Sequence, residues 1–183
     1  NNLFGLPLAL FGLSPDDHIG IFEMGMSAQG EIAEMCRIAR PDVGVITNIA
    51  PVHLAFFCSL DEIALAKAEL AAGLSSEGAL VYNCDDARVC AIAGQFAGSK
   101  TSFGLSERAH VRAEEIEIAG LEETRFKVSC AGLTRRASIP LAGAHYVMNA
   151  LAAFALGHHY RLEFDQIVES LRFLHQAPSR GQI

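Results

Sequence analysis

An α/β fold is predicted for this chain: a mostly parallel, helix-covered sheet with an antiparallel strand section at about residues 109–139. Three observations predict it. Short apolar runs alternate with amphipathic segments over roughly the first hundred residues, the pattern of buried parallel strands joined by crossover helices. Between residues 109 and 139 that pattern gives way to period-two alternation with intervening turn residues, as in an antiparallel meander. The composition, 51% hydrophobic against 19% charged in 183 residues, supplies the apolar side chains to cover such a sheet.

The elements follow in order. His18 to Met24 is an apolar run ending at Gly25 and reads as a buried strand. Gln29 to Ala39 places Ile32, Met35, Cys36 and Ala39 at helical spacing, and Pro41 stops that helix. Val43 to Asn48 reads as a second buried strand, followed by a loop over residues 49–58. Ser59 and Glu62 form the S-x-x-E pattern of a capping box, opening a helix to about Leu74. Ala79 to Asn83 is a third strand and Asp86 to Phe96 a third helix. In the meander, Ile116 and Ile118, then Phe126 and Val128, share faces, with Gly120 and Gly132 at turns. Ala144 to Leu156 and Asp165 to His175 close the chain as helices. Residues 1–177 are read as one domain and 178–183 as an interdomain linker. The start at Asn1 without a Met and the stop at Ile183 suggest a piece of a longer protein.

Composition excludes several classes. The net charge is −7 and no Lys/Arg cluster occurs, so no nucleic-acid partner is expected. The longest apolar stretch, Leu3 to Leu13, is too short to span a bilayer and contains Pro7, so no membrane insertion is expected. The five cysteines are odd in number, irregularly spaced and without a CxxC, which argues against disulfides or zinc and for a reducing cytoplasm.

Ligands of open α/β sheets bind beyond the carboxyl ends of the strands. Glu23 sits in I-F-E-M-G at one such end; Asn48 ends the next strand and His53 follows in its loop. A carboxylate and an imidazole are thereby brought toward one sheet edge, although Glu23 reads equally as a capping or ion-paired carboxylate. Lys67 is the most informative residue. It lies in the middle of an apolar stripe of Leu60, Ile63, Ala64, Leu70, Ala71 and Leu74. Burying an unpaired ammonium costs on the order of several kcal/mol. The amine therefore snorkels to the surface, pairs with a carboxylate such as Glu23, or loses its charge and becomes nucleophilic toward carbon dioxide, giving a metal-binding carbamate. Asn83, Asp85 and Asp86 at the end of the third strand read as helix caps at least as readily as ligand contacts. His145 and Asn149, four apart in G-A-H-Y-V-M-N, share a helix face, and an amide there can both donate to and accept from an adenine edge. His158 and His159 read as surface residues, and nothing matches GxxxxGK[ST].

Taken together and in order, these segments resemble the Mur ligase family. N-N-L-F-G-L-P-L-A-L, E-M-G-M-S-A-Q-G-E-I, R-P-D-V-G-V-I-T-N-I-A-P-V-H-L, S-L-D-E-I-A-L-A-K-A-E-L, N-C-D-D and G-A-H-Y-V-M-N-A-L-A-A match the motifs of its central, ATP-binding domain, which is P-loop NTPase-like. The likeness covers nearly the whole chain and is nearest to the branch that adds D-alanyl-D-alanine. It implies that Glu23 and His53 help bind Mg2+, and that Lys67, carbamylated, places a second negative group beside it. It further implies that Asn149 and, less directly, His145 line the adenine pocket of ATP, with Asn2 and Asn48 near the precursor substrate. The implied reaction is ATP-dependent amide formation between UDP-MurNAc-tripeptide and D-Ala-D-Ala through an acyl phosphate. Ser27-Ala28, Ala55 and Tyr146 depart from common family residues but leave the magnesium set intact. With the P-loop and the amino- and carboxy-terminal domains outside this sequence, the isolated chain is expected to be inactive. A sister ligase adding a diamino acid or glutamate, or a noncatalytic scaffold, are the rival readings.

Overall fold

The computed structural model describes residues 2–51 and 57–174. His53, the carboxyl end of the last expected helix at His175 and the expected linker at 178–183 lie outside the described residues. The chain divides into two compact units, residues 1–80 with 86–100, and residues 81–85 with 101–183. The strands are β1 (Val43–Ile46), β2 (Ala79–Asn83), β3 (Ser99–Gly104), β4 (Val111–Ala119), β5 (Glu123–Cys130) and β6 (Leu133–Ile139). They make a six-stranded, mostly parallel sheet in the order β1-β2-β3-β4-β5-β6 that turns antiparallel from β4 onward, as the fold class requires.

The first unit carries α1 (Gly5–Leu10), α2 (Glu31–Ala39), α3 (Leu60–Gly73) and α4 (Ala87–Gln95). Helix α2 buries Ile32, Met35 and Cys36 at the predicted spacing and packs on α1 and α3. It ends on Arg40, whose N–H still reaches the Cys36 carbonyl at 2.8 Å while its backbone turns left-handed (φ 47°). Pro41 then removes the next backbone donor and disfavours helix at Arg40. Helix α3 opens on Ser59, whose hydroxyl accepts from the Glu62 N–H at 3.2 Å, while Glu62 reaches back to the Cys58 N–H at 2.8 Å. The reciprocal pattern predicted for S-x-x-E is thus present, displaced by one residue on the return bond. Leu6, Met35, Ile63, Leu80 and Val89 are fully buried in this unit.

In the second unit, α5 (Ala144–His159) lies against β4, β5 and β6, and α6 (Phe164–Ser170) against β6 and α5, followed by a 3-10 turn at Leu171–Phe173. Phe103, Val111, Val128, Ile139, Leu151 and Phe154 form its fully buried core. The β5–β6 hairpin pairs Cys130 with Leu133 around Ala131-Gly132, both at positive φ (51° and 81°), the two-residue turn that matches strand twist.

Three elements differ from expectation. His18 to Met24 is not a strand: an apolar run becomes one only when a neighbouring backbone takes its N–H and C=O groups in a ladder. Ile19 and Ile21 are accordingly exposed, at 58% and 80%. Strand β3 carries no apolar pattern in the sequence, because S-K-T-S-F-G is polar over its first half and buries only its last three residues. Helix α1 forms within the apolar stretch despite Pro7, which stands in its first turn where a missing N–H leaves no hydrogen bond unmade. Cys36 and Cys130 are buried among apolar side chains, and burial pushes both thiols up, in keeping with cysteines that act as small hydrophobes.

The contact of α2 with α3 depends on Gly73. A Cβ there would stand 2.5 Å from the Cys36 Cβ and 2.8 Å from its Sγ. Gly73→Ala is therefore expected to lower stability by about 1–3 kcal/mol through overpacking, measured by urea denaturation, and Gly73→Ala with Cys36→Ala to recover part of that loss.

Candidate functional site

In the first unit, the loops beyond the strand ends are held by carboxylates that accept backbone N–H groups. Helix α2 begins at Gly30, which has no side chain with which to cap it. Glu69 of α3 supplies the acceptor instead, taking the Gly30 N–H at 2.6 Å and the Ala33 N–H at 3.0 Å. A negative group at this position also suits the positive end of the helix dipole. Glu31 turns back to accept from the N–H groups of Ser27 (2.6 Å) and Ala28 (3.3 Å). The two carboxylates thus define the path of the segment that follows Glu23, which is itself exposed.

Lys67 is half-buried on α3, and its ammonium donates to the Asn48 carbonyl oxygen at 2.7 Å. Removal from water favours the neutral amine and lowers its pKa; the Asp86 carboxylate works in the opposite sense and offsets part of that loss. The resolution of a lysine on an apolar stripe is therefore a backbone carbonyl beyond the end of β1, with Asp86 as the charge that acts on it. Asp86 caps α4, its Oδ1 accepting from Arg88 (2.9 Å) and Val89 (3.2 Å), and its Oδ2 accepts from the Ile49 N–H at 2.7 Å. The capping expected of Asp86 is present; the bond to Ile49 has no signal in the sequence, because nothing local relates residues 49 and 86. Asn48 itself is exposed. Asn2 accepts from the N–H groups of Phe4 (3.1 Å) and Gly5 (2.9 Å), so its side-chain oxygen starts α1.

In the second unit, the expected nucleotide residues stand at the start of α5. His145 and Asn149 are both exposed and lie one turn apart. Thr124, fully buried on β5, pins the approach to this helix: its hydroxyl donates to the Leu141 carbonyl at 2.7 Å and accepts from the Gly143 N–H at 3.0 Å. Gly143 has φ 141°, and a Cβ there would come 2.7 Å from the His145 ring, so glycine lets the imidazole fold over the helix start. His145 also lines an open groove of about 860 Å³ with Glu122, Glu123, Ser138, Leu141 and Arg172. Asn83 and Asp85 have structural partners: Asn83 accepts from the Asp85 N–H at 2.9 Å, and Asp85 from Leu105 (2.5 Å) and Ser106 (3.1 Å). No group of three or more His, Cys, Asp or Glu side chains suited to a metal occurs among the described residues. No helix among them is long and apolar enough to cross a membrane.

The pKa shift of Lys67 has a testable consequence. Folding binds its proton less tightly than the unfolded chain does, so this group's contribution makes stability rise with pH between the lowered folded value and the ordinary lysine range. A 13C titration of the lysine Cε resonances is expected to show Lys67 deprotonating below the other lysines, and Asp86→Asn to lower it further.

The family model of the Mur ligase middle domain matches residues 1–157. The chain is 33% identical over 171 residues to the UDP-N-acetylmuramoyl-tripeptide--D-alanyl-D-alanine ligase of Bacillus subtilis, covering 93% of this chain and 36% of that protein. It superposes on a crystal structure of MurF from Acinetobacter baumannii with a TM-score of 0.91 at 30% identity, over 98% of this chain and 39% of that one. A MurF ligase of Thermotoga maritima, crystallised in complex with ADP, shares the fold with a TM-score of 0.80 at 21% identity, over 97% of this chain and 40% of that one. The chain thus spans somewhat more than a third of the length of these relatives.

Proposed function

This chain belongs to the Mur ligase family, and we propose that it is the middle part of an ATP-dependent ligase that joins D-alanyl-D-alanine to UDP-MurNAc-tripeptide. The observation that carries the reading is the likeness, over 93% of the chain, to a relative named for that reaction. In the proposed chemistry, the terminal carboxylate of the tripeptide attacks the γ-phosphorus of ATP and ADP leaves. The amine of D-Ala-D-Ala then attacks the acyl phosphate, phosphate leaves, and the amine gives up a proton.

The surroundings of Lys67 support the role proposed for it. Its lowered pKa raises the share of neutral amine at neutral pH. A neutral amine adds carbon dioxide to form a carbamate and release a proton, turning a cation into an anion at the same place. Glu23 and carbamylated Lys67 would then offer hard oxygen donors, and His53 an imidazole, to Mg2+, which when bound offsets the charge of two approaching anions. Two such carboxylate-type groups suit an ion that commonly takes only one or two from the protein and the rest from phosphates and water. Asn149 and His145 would face the adenine of ATP, as the motif around them and their exposure on α5 support. Asn2 and Asn48 would lie near the precursor. Residues 1–177 are proposed as the domain, with 178–183 leading to a further one, and the cytoplasm as its place. The amino- and carboxy-terminal domains of the longer protein are the other partners this reading requires.

The test uses the full-length protein with ATP, Mg2+ and UDP-MurNAc-tripeptide. Phosphate release is expected to require D-Ala-D-Ala and to fall about 100-fold or more in Lys67→Ala. Release that requires a diamino acid or glutamate instead would make this a sister ligase; none with any acceptor, from a folded protein, would make it a scaffold. Asn149→Ala is expected to raise KM for ATP about tenfold while leaving kcat within a few-fold, the signature of a lost binding contact.

A further inference from the structure

We propose that Asp86 is a positioning residue that, together with Lys67, clamps the Asn48–Ile49 peptide group from both ends; its catalytic consequence rests on the ligase reading above. One planar peptide carries both contacts. Its carbonyl oxygen accepts from Lys67 Nζ at 2.7 Å, and its N–H donates to Asp86 Oδ2 at 2.7 Å. In a trans peptide the C=O and N–H point in opposite directions, so a cation and an anion grip one dipole along its own axis. With Lys67 as an ammonium, each bond is charge-assisted and reinforces the other by polarising the group between them.

The geometry constrains three things at once. The Asn48–Ile49 peptide cannot rotate without breaking a bond to a charged group, which fixes the chain four residues before His53. The Lys67 amine is held on one line, aimed at a backbone oxygen that cannot itself ionise. Asp86 is fixed in turn, because its other oxygen accepts from two N–H groups in the first turn of α4. The Asp86 side chain thus ties the start of one helix to the loop beyond β1. The clamp is also compatible with both states of the lysine. A carbamate nitrogen retains one N–H, which can keep the bond to the Asn48 carbonyl and thereby set the direction of the new carboxylate. Asp86 acts through the peptide and needs no contact with substrate.

A substitution separates the clamp from the helix cap. Asparagine and serine cap helices about as well as aspartate. Neither brings a second anionic oxygen to Ile49, so Asp86→Asn and Asp86→Ser keep α4 and lose the clamp. In the full-length protein, amide hydrogen exchange at Ile49 is expected to accelerate at least about tenfold in both variants, with Arg88 and Val89 unchanged. Phosphate release by the same variants is expected to fall about tenfold or more in kcat, with KM for ATP within about twofold of the parent.

Unchanged exchange at Ile49, or equal acceleration at Arg88 and Val89, would overturn the clamp. Accelerated exchange with unaltered kcat in an active enzyme would overturn the positioning role. If the parent protein itself releases no phosphate with any acceptor, the ligase reading and the positioning role fall together, while exchange at Ile49 still decides whether the clamp exists.

Discussion

Backbone N–H groups at the ends of strands and the starts of helices have no partner in the regular ladders, and this protein meets that constraint with carboxylates from elsewhere in the chain. Asp86 takes the Ile49 N–H and the first turn of α4, Glu69 takes the first turn of α2, and Glu31 takes the turn before it. In the second unit Asp85 takes the N–H groups of Leu105 and Ser106, and Thr124 takes that of Gly143. Each such bond joins a charged or polar side chain to main chain that would otherwise lack a partner, so removing the side chain costs more than the bond itself. Among the described residues, these bonds hold the loops that lie beyond the strand ends.

The same logic explains what several motif residues do in the structure. In A-K-A-E, Lys67 and Glu69 stand two apart on α3 and point their polar ends at different loops: one at the Asn48 carbonyl, the other at the start of α2. In G-E-I, Glu31 opens α2 and also orders Ser27 and Ala28. In G-A-H-Y, Gly143 and His145 form one unit, since the imidazole occupies the space a side chain at 143 would need.

Lys67 shows how magnitude decides between readings. An isolated ammonium on an apolar stripe would cost several kcal/mol, on the order of what the marginal stability of a domain can bear. A backbone carbonyl at 2.7 Å and the nearby Asp86 offset part of that cost but not all of it, since desolvation remains the larger effect on its pKa. An amine left partly uncompensated is the kind that reacts, which is the link between the packing of α3 and the proposed carbamate.

Most of the secondary structure was legible in the sequence, because apolar periodicity and capping chemistry are local. Ser59 with Glu62, Arg40 with Pro41, the run Ala79–Asn83 and the meander from β4 to β6 follow from neighbours a few residues apart. The motif order, and with it the family, was legible for the same reason. What the sequence could not determine is whatever depends on a partner distant along the chain. His18 to Met24 is apolar enough for a strand yet forms none among the described residues, since a strand is defined by the backbone beside it. β3 is polar enough to be missed yet pairs through Phe103 and Gly104 with β4. Lys67 could be singled out as a charge in an apolar stripe, but that it would meet the carbonyl of residue 48, and that Asp86 would hold the other end of that peptide, was decided only when tertiary packing brought positions 48, 67 and 86 within hydrogen-bond reach.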